Sequence, residues 1–224
     1  MSIRSTLAFS SRRLALVAAV LAGASLLWAC APLVVGGAMV GGMMVVTDRR
    51  TSGAQVEDQA IELKAVNRIR EVLGERGHVN ATSYNRMVLL TGEVPSEQDK
   101  LAVEQTVSRI ENVRSIVNEL AVMGNSSLTS RSNDVLLASK VKATLIDARD
   151  LQANAFKVVT ERGVVYLMGI VTEREANRGA DVARSVSGVQ KVVKVFEIIS
   201  EEELARLRPS SAPQGGSGGG SAGQ

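Results

Sequence analysis

Two similar stretches of the chain decide the fold: "VLLTGEVPSEQDKLAVEQTVSRIENVRSIVNEL" at residues 88–120 and "VYLMGIVTEREANRGADVARSVSGVQKVVKVF" at residues 165–196. Their glycines lie 77 residues apart, and after a one-residue gap the offset becomes 76. The corresponding positions are Gly92 with Gly169, Val94 with Val171, Ile110 with Val186, and Val113 with Val189. A repeat of this length indicates a duplicated domain rather than a solenoid.

The likeness continues upstream of both stretches. Apolar residues spaced by four, which is the spacing of one helix face, occur at corresponding positions in the two copies. They are Ile61, Ala65 and Ile69 in the first copy and Leu137, Val141 and Leu145 in the second. We therefore expect each copy to begin with an amphipathic helix, over about 58–73 and 134–147.

Each opening helix is followed by a predicted hairpin, a second helix and a closing strand. Period-two apolar residues flank polar turns at Asn85–Arg86 and Arg162–Gly163. The spacings Ser96-x-x-Asp99 and Thr172-x-x-Glu175 approximate capping boxes that begin the second helices. The order αββαβ predicts an α+β fold made of two tandem domains, each with its helices on one sheet face.

The N-terminus carries a targeting pattern. Residues 1–13 hold three arginines and no acid, and residues 14–28 are uncharged, which is typical of a secretory signal. The end of this segment resembles the signal of bacterial lipoproteins, because Leu27 and Ala29 stand at −3 and −1 from Cys30. Tryptophan at −2 is unusual for that signal. We predict a lipoprotein signal peptide over 1–29 and lipidation of Cys30.

A transmembrane helix is the alternative for this region, because the uncharged run from Leu14 to Thr47 is long enough to span a bilayer. The glycine-rich stretch 36–42 and Pro32 argue against a continuous helix. We expect residues 30–56 to form a lipidated, flexible tether whose Met and Val residues touch the membrane interface. In such lipoproteins, the absence of aspartate at position 31 favours the outer membrane.

The rest of the chain divides into four segments on composition and repeat. We expect a first domain at 57–124, a linker at 125–132, a second domain at 133–200 and a tail at 201–224, after the signal and tether. The end of the tail, "RPSSAPQGGSGGGSAGQ", is rich in Ser, Gly and Pro. Such a composition predicts disorder for the tail.

Composition excludes several functions. Three of the 26 basic residues lie within residues 1–29, so the rest of the chain has 23 basic and 23 acidic residues and no net charge. A neutral balance argues against nucleic-acid binding. One cysteine and one histidine cannot form the usual metal clusters or an intramolecular disulfide. His78 lacks the partners that catalysis requires. We expect no catalytic residue, metal, cofactor or small-molecule substrate, and hence no enzyme.

The repeat resembles the BON domain family. The residues that carry the resemblance are the two strand-end glycines, "IENV" at 110–113, "VSGV" at 186–189 and "GVVYLMGIVTEREA" at 163–176. With a lipidated cysteine and a glycine-rich spacer, the whole architecture is similar to outer-membrane lipoproteins with two BON domains. That resemblance implies a non-enzymatic protein on the periplasmic face. It also implies binding of anionic phospholipid through the second domain, support of outer-membrane integrity, and a place at the division site.

Charge separates the two copies. Residues 57–123 carry a net charge of −3 and residues 131–199 a net charge of +3. A basic surface attracts anionic headgroups, so the second copy is the better lipid candidate. Leu136 and Lys140 lie one turn apart beside its core stripe, and Leu136 replaces Ala60 of the first copy. Family members carry tryptophan at the position we align with Leu136, so this chain departs from the family there.

The "GIVTER" corner, residues 169–174, is the second candidate. Ile170 replaces Glu93 of the first copy, and Arg174 lies in the next helix's first turn, which Thr172 is expected to cap. We expect a single lipid-binding surface from eight residues of the second domain. They are Leu136, Ser139, Lys140, Gly169, Ile170, Val171, Thr172 and Arg174.

Two alternatives stay open at this point. Leu136 and Ile170 fit equally well in the core between the domains, because isolated apolar residues carry little functional information. The protein also fits an adaptor in which an apolar groove between the domains binds an outer-membrane assembly, division or peptidoglycan-linked protein. Lipidation then serves only as an anchor.

Overall fold

The first repeat folds into the predicted αββαβ unit. The structure is a computed structural model that describes residues 48–207. The signal peptide, Cys30, the tether up to residue 47 and the tail beyond residue 207 lie outside the described residues. The elements of the first domain are α1 (Ser52–Leu73), β1 (His78–Tyr84), β2 (Met87–Val94), α2 (Glu97–Ser108), β3 (Ser115–Asn118) and β4 (Ala121–Val122). Strand β1 pairs antiparallel with β2, while β3 and β4 pair parallel to β2.

The second repeat has the same plan with a longer closing strand. Its elements are α3 (Leu128–Asp147), a 3₁₀ turn (Ala153–Ala155), β5 (Lys157–Glu161), β6 (Val164–Thr172), α4 (Glu173–Arg184), β7 (Lys191–Ile199) and α5 (Glu201–Leu207). Strand β5 pairs antiparallel with β6, and β7 runs parallel to β6. The expected α+β fold of two tandem domains is thereby confirmed.

Each hairpin turn is held by a buried aspartate from the opening helix of its own domain. Asp58 accepts the amides of Asn85–Arg86 at 2.8 and 2.7 Å, and Asp134 accepts those of Arg162–Gly163 at 2.8 and 2.9 Å. The turn residues have positive φ, as a type I′ turn requires: Asn85 49°, Arg86 66°, Arg162 50° and Gly163 73°. The two aspartates stand 76 residues apart, so the repeat includes this contact.

The strand-end glycines permit a close approach of backbone. A Cβ atom at Gly92 would lie 2.0 Å from the carbonyl oxygen of His78, and one at Gly169 would lie 2.2 Å from that of Ala155. No larger residue fits without moving the neighbouring chain. The glycines that mark the repeat therefore have the same structural role in both domains.

The two domains pack sheet against sheet. One apolar cluster joins them, built from Tyr84, Met87 and Leu89 of the first domain and Tyr166, Met168, Ile170 and Val195 of the second. The opposite face of each sheet packs on its own two helices. The described unit thus has four layers, with helices outside and the two sheets in the middle.

Three predicted boundaries are corrected. The tether does not extend to residue 56, because α1 begins at Ser52 with Thr51 as its cap. The linker is shorter than 125–132, because α3 begins at Leu128 with Ser127 as its cap. Residues 201–207 of the tail form a helix because Leu204 is buried. Within residues 48–207, no helix has both the length and the hydropathy to cross a bilayer.

Candidate functional site

The outward face of α3 is largely apolar, and the exposed acid of this helix is Asp147, its last residue. Four large apolar side chains of this helix are 61–79% exposed: Leu128, Val135, Leu136 and Ile146. Between Val135 and Ile146 the sequence is "VLLASKVKATLI", with two lysines and no carboxylate. Ser139 and Lys140 are also exposed on this face. Three of the eight predicted lipid-binding residues, Leu136, Ser139 and Lys140, therefore lie exposed on one helix.

Lys140 differs in its surroundings from its counterpart Lys64 in the first domain. The Lys64 ammonium lies 3.2 Å from the Glu111 carboxylate. The second repeat has Ser187 where the first has Glu111, and Ser187 and Lys140 border one cavity. Among residues 48–207, no carboxylate lies within ion-pair distance of Lys140. The second domain therefore leaves uncompensated a charge that the first domain neutralises.

The "GIVTER" corner does not join this surface, which corrects the sequence-based expectation. Gly169, Ile170, Val171 and Thr172 are all buried at the end of β6. Ile170 is only 7% exposed and belongs to the core between the sheets, while Val171 faces the helices of its own domain. The interdomain-core alternative was right for Ile170 and wrong for Leu136.

Arg174 is exposed but separate from the face of α3. Its Nε lies 3.6 Å from the Glu201 carboxylate at the start of α5. Lys140 borders the loop that follows α4, at Ser187–Gln190, whereas Arg174 lies in the first turn of α4. The length of that helix, about 18 Å, separates the two cations. Arg174 therefore does not share a single headgroup site with Lys140.

A groove of about 830 Å³ separates the inner side of α3 from the first domain. On one side it is bordered by β1, through His78, Asn80 and Tyr84, and on the other by α3 and β5. The apolar residues that line it are Val135, Ala138, Ala143, Ile146, Phe156 and Val158. It is the interdomain groove that the adaptor alternative requires.

Two carboxylates from different domains are buried at one end of the seam between the sheets. Glu93 is 0% exposed and accepts hydrogen bonds from the Ser126 amide and hydroxyl at 3.2 and 3.1 Å. Glu161 is 5% exposed and accepts one from Asn80 at 3.2 Å. Burial, and then the charge of Glu93, raise the pKa of Glu161. Within residues 48–207, no group of three or more His, Cys, Asp or Glu could hold a metal.

Sequence reasoning missed the two arginines that follow the uncharged N-terminal run. Arg49 and Arg50 were assigned to the flexible tether, yet both make ion pairs with the folded domains. The signal for them was available: Asp48, Arg49 and Arg50 are the first charges after residue 13.

Comparison with known proteins agrees with this geometry. The BON domain family matches residues 58–124 and 133–200. The chain belongs to the BON domain family. Outer membrane lipoprotein DolP of Haemophilus influenzae is 38% identical over 184 residues, which cover 81% of this chain and 95% of that protein. The 21 kDa hemolysin of Actinobacillus pleuropneumoniae is 32% identical over 154 residues, which cover 68% of this chain and 79% of that protein.

Among solved structures, the C-terminal domain of CdsD, a structural protein of the Type III secretion system of Chlamydia trachomatis, is also similar. It is 11% identical with a TM-score of 0.27, over 60% of this chain and 97% of that one. The likeness to DolP over most of the chain confirms the expected outer-membrane lipoprotein with two BON domains. Acylation of Cys30, which lies outside the described residues, stays a prediction.

Proposed function

We propose that this lipoprotein binds anionic phospholipid through α3 of its second BON domain and thereby supports the integrity of the outer membrane, including at the division site. The role is non-enzymatic. The protein adds a second membrane contact to the acyl chains on Cys30. Once the acyl chains hold the protein at the membrane, a weak second contact forms at a high effective concentration.

The observation that carries this proposal is the free charge of Lys140 beside the exposed Leu136. A lysine near an anionic bilayer contributes about 1 kcal/mol. A leucine that enters the interface adds the favourable burial of its side chain. Between Val135 and Ile146 the helix carries no acid, and the exposed Asp147 lies two turns beyond Lys140 at the end of the helix.

The test is cosedimentation of residues 31–224 with phosphatidylglycerol vesicles and with phosphatidylcholine vesicles. This chain lacks Cys30, so acylation cannot cause binding. It keeps Arg49 and Arg50, which make ion pairs with the two folded domains. We expect binding to the anionic vesicles only, and we expect it to weaken as salt rises, because screening weakens exposed charges.

The first domain supplies controls: Lys64 corresponds to Lys140, and Leu63 is an exposed leucine on the opening helix. Lys140→Glu should weaken binding to anionic vesicles about tenfold, because it replaces an attraction of about 1 kcal/mol with a repulsion. Lys64→Glu should have little effect. Leu136→Gln should also weaken binding, while Leu63→Gln, at a leucine that is 66% exposed on α1, should not. Equal effects in both domains would show that α3 is not the binding surface.

The groove favours a second candidate function, in which the BON pair binds an envelope protein. In cells that lack the native protein, Ala138→Trp would fill the groove and Lys140→Glu would change only the outward face. Resistance to detergent should follow the vesicle binding of these two variants if lipid is the ligand. Loss of resistance with Ala138→Trp alone, at unchanged vesicle binding, would favour the protein partner.

A further inference from the structure

The chain that arrives from the N-terminus is bound first to the second domain, although it leads into the first. The two terminal nitrogens of Arg49 donate to the two carboxylate oxygens of Glu175, each at 2.7 Å, and one also donates to the Ile170 carbonyl at 2.8 Å. Both side chains are only 4% exposed. A bidentate pair of this kind is strong and fixes orientation.

Arg50, the next residue, binds the first domain. Its guanidinium donates to Asp58 at 2.8 Å and lies 4.2 Å from the centre of the Tyr84 ring. It also pairs with Asp48 at 2.8 Å. Because neighbouring arginines hold different domains, the position of Asp48 is fixed relative to both. We call residues 48–50 the clasp.

Asp48 lines the groove between the domains, together with the inner side of α3. The chain that precedes the clasp therefore starts at the edge of this groove. Val135 and Ile146 border the same groove, and they are 67% and 61% exposed. Strands β1 and β5, which border it as well, are the edge strands of their sheets. The groove thus offers apolar side chains and unpaired strand edges at the point where the clasp begins.

The residues directly before the clasp have matching chemistry. The sequence at 43–46 is "MMVV", and no charge occurs between Leu14 and Thr47. Four consecutive large apolar residues are unfavourable in water. Methionine adapts to irregular apolar surfaces, and valine favours the extended backbone that lies along a strand edge.

We propose that residues 43–46 dock in the groove against the inner side of α3. The docked segment lies on the flank that carries Val135 and Ile146, two of the residues assigned above to the bilayer. Segment and bilayer then compete for this flank of α3. The competition rests on the proposed function, whereas the docking does not.

The test is disulfide formation in the chain from residue 30 onward with Cys30→Ser, which removes the single native cysteine. One variant adds Met44→Cys and Ser139→Cys, because Ser139 lines the groove. The matched control adds Met44→Cys and Arg206→Cys, because Arg206 is exposed and lines a different pocket beside Arg49 and Arg50. Four residues reach about 14 Å from Asp48.

We expect the groove pair to form its disulfide at least about fivefold faster than the control pair, since docking raises the effective concentration at one site only. Val45→Ser with Val46→Ser should remove this difference, and these residues precede the contacts of the clasp. Equal rates in the unsubstituted segment would overturn the docking and leave the groove open to a partner.

Vesicles then separate the docking from the proposed function. Phosphatidylglycerol vesicles should slow the groove disulfide, and phosphatidylcholine vesicles should not. A chain that sediments with the anionic vesicles while its groove disulfide forms unchanged would overturn the competition. A chain that sediments with neither vesicle, yet keeps its selective disulfide, would overturn the proposed function while supporting the docking.

Discussion

The seam between the two sheets has an acidic end and an apolar end, although the repeat relates the two. At the acidic end lie Glu93, directly after Gly92, and Glu161, the last residue of β5. Their counterparts at the other end are Ile170 and Tyr84. All four seam residues are at most 7% exposed, so equivalent positions are equally buried with opposite chemistry.

The difference shows where two copies of one domain are free to diverge. The acids accept hydrogen bonds from Ser126 and Asn80, whereas Ile170 and Tyr84 belong to the apolar cluster between the sheets. The outward face of the opening helix differs in the same way, since Lys64 is paired and Lys140 is free. Contacts that build each domain by itself are shared. Divergence is concentrated where a domain meets its neighbour or its surroundings.

The largest effect should come from the shared glycines. Gly92→Ala and Gly169→Ala should each destabilise the protein by about 3 kcal/mol or more, because the added Cβ would overlap a backbone carbonyl. Urea unfolding measures both. Gly53→Ala is the control: its Cβ would meet nothing closer than 3.9 Å, so helix propensity should make it neutral or slightly stabilising. A mild effect at either strand glycine would contradict the shared role.

The buried aspartates should rank next, and unequally. Asp58 accepts bonds from the Ser83 hydroxyl, two turn amides and Arg50, whereas Asp134 accepts two turn amides. Asp58→Ala should cost about 3 kcal/mol and Asp134→Ala about 2 kcal/mol, since more groups lose their partner in the first domain. Urea unfolding of the two variants checks the order. The reverse ranking would show that the turn amides dominate.

The domain plan was predictable because each copy supports the other. Three features recur in both copies at an offset of 76 or 77 residues. They are the strand-end glycine (Gly92 and Gly169), the apolar stripe of the opening helix and the hairpin turn. Their recurrence distinguishes them from patterns that arise by chance. Of the two predicted parts of the site, the outward face of α3 was also predictable. The stripe of Leu137, Val141 and Leu145 defines the buried side of α3, which leaves Leu136 and Lys140 facing outward.

The corner at Ile170 could not be placed by comparing the copies alone. Alternation in β6 indicates that Ile170 and Val171 face opposite ways, but it does not say what covers each face. A signal was present in the runs at 87–90 and 164–168, which are continuously apolar, as strands covered on both faces are. The ion pair of Arg49 with Glu175 joins residues 126 positions apart in the chain, so no local pattern reveals it.

The acidic end of the seam should make stability depend on pH. Burial is the largest influence on Glu161 and disfavours its ionised form, as do the charges of Glu93 and Asp134. The hydrogen bond from Asn80 and the charge of Arg162 favour the ionised form, but less strongly. The pKa of Glu161 therefore lies above its ordinary value. The folded protein therefore binds this proton more tightly than the unfolded chain does. Stability from this group should be gained as pH falls through the raised pKa, and it is absent at neutral pH.

Glu161→Gln tests this dependence. The amide keeps the shape without the charge, so we expect a gain of about 1 kcal/mol at pH 7 and little gain near pH 4, where the wild-type group is protonated. Urea unfolding at several pH values measures the difference. Tyr84→Phe, at the corresponding position of the apolar end, should show no such dependence below pH 8, because burial raises the pKa of Tyr84 to about 12. A gain at Glu161 that does not vary with pH would exclude the carboxylate as its cause.

The smallest effect should come from Arg86→Gly, at the second position of the hairpin turn in the first domain. Arg86 has φ 66° and corresponds to Gly163, with φ 73°. A left-handed backbone conformation costs a residue that has a Cβ atom about 1 kcal/mol. Glycine avoids this cost, but part of the gain is lost because its unfolded state is more flexible. Arg86→Gly should therefore stabilise the first domain by about 0.5 kcal/mol.

The reverse change, Gly163→Arg, should cost more than Arg86→Gly gains. A Cβ at position 163 would lie 3.0 Å from the side chain of Gln190, so steric crowding adds to the backbone strain. We expect a loss of about 1–2 kcal/mol, measured as a lower urea midpoint with an unchanged slope. If the two exchanges had equal and opposite effects, the turns would be interchangeable. The difference between the domains would then lie only in the seam and on the outward face of α3.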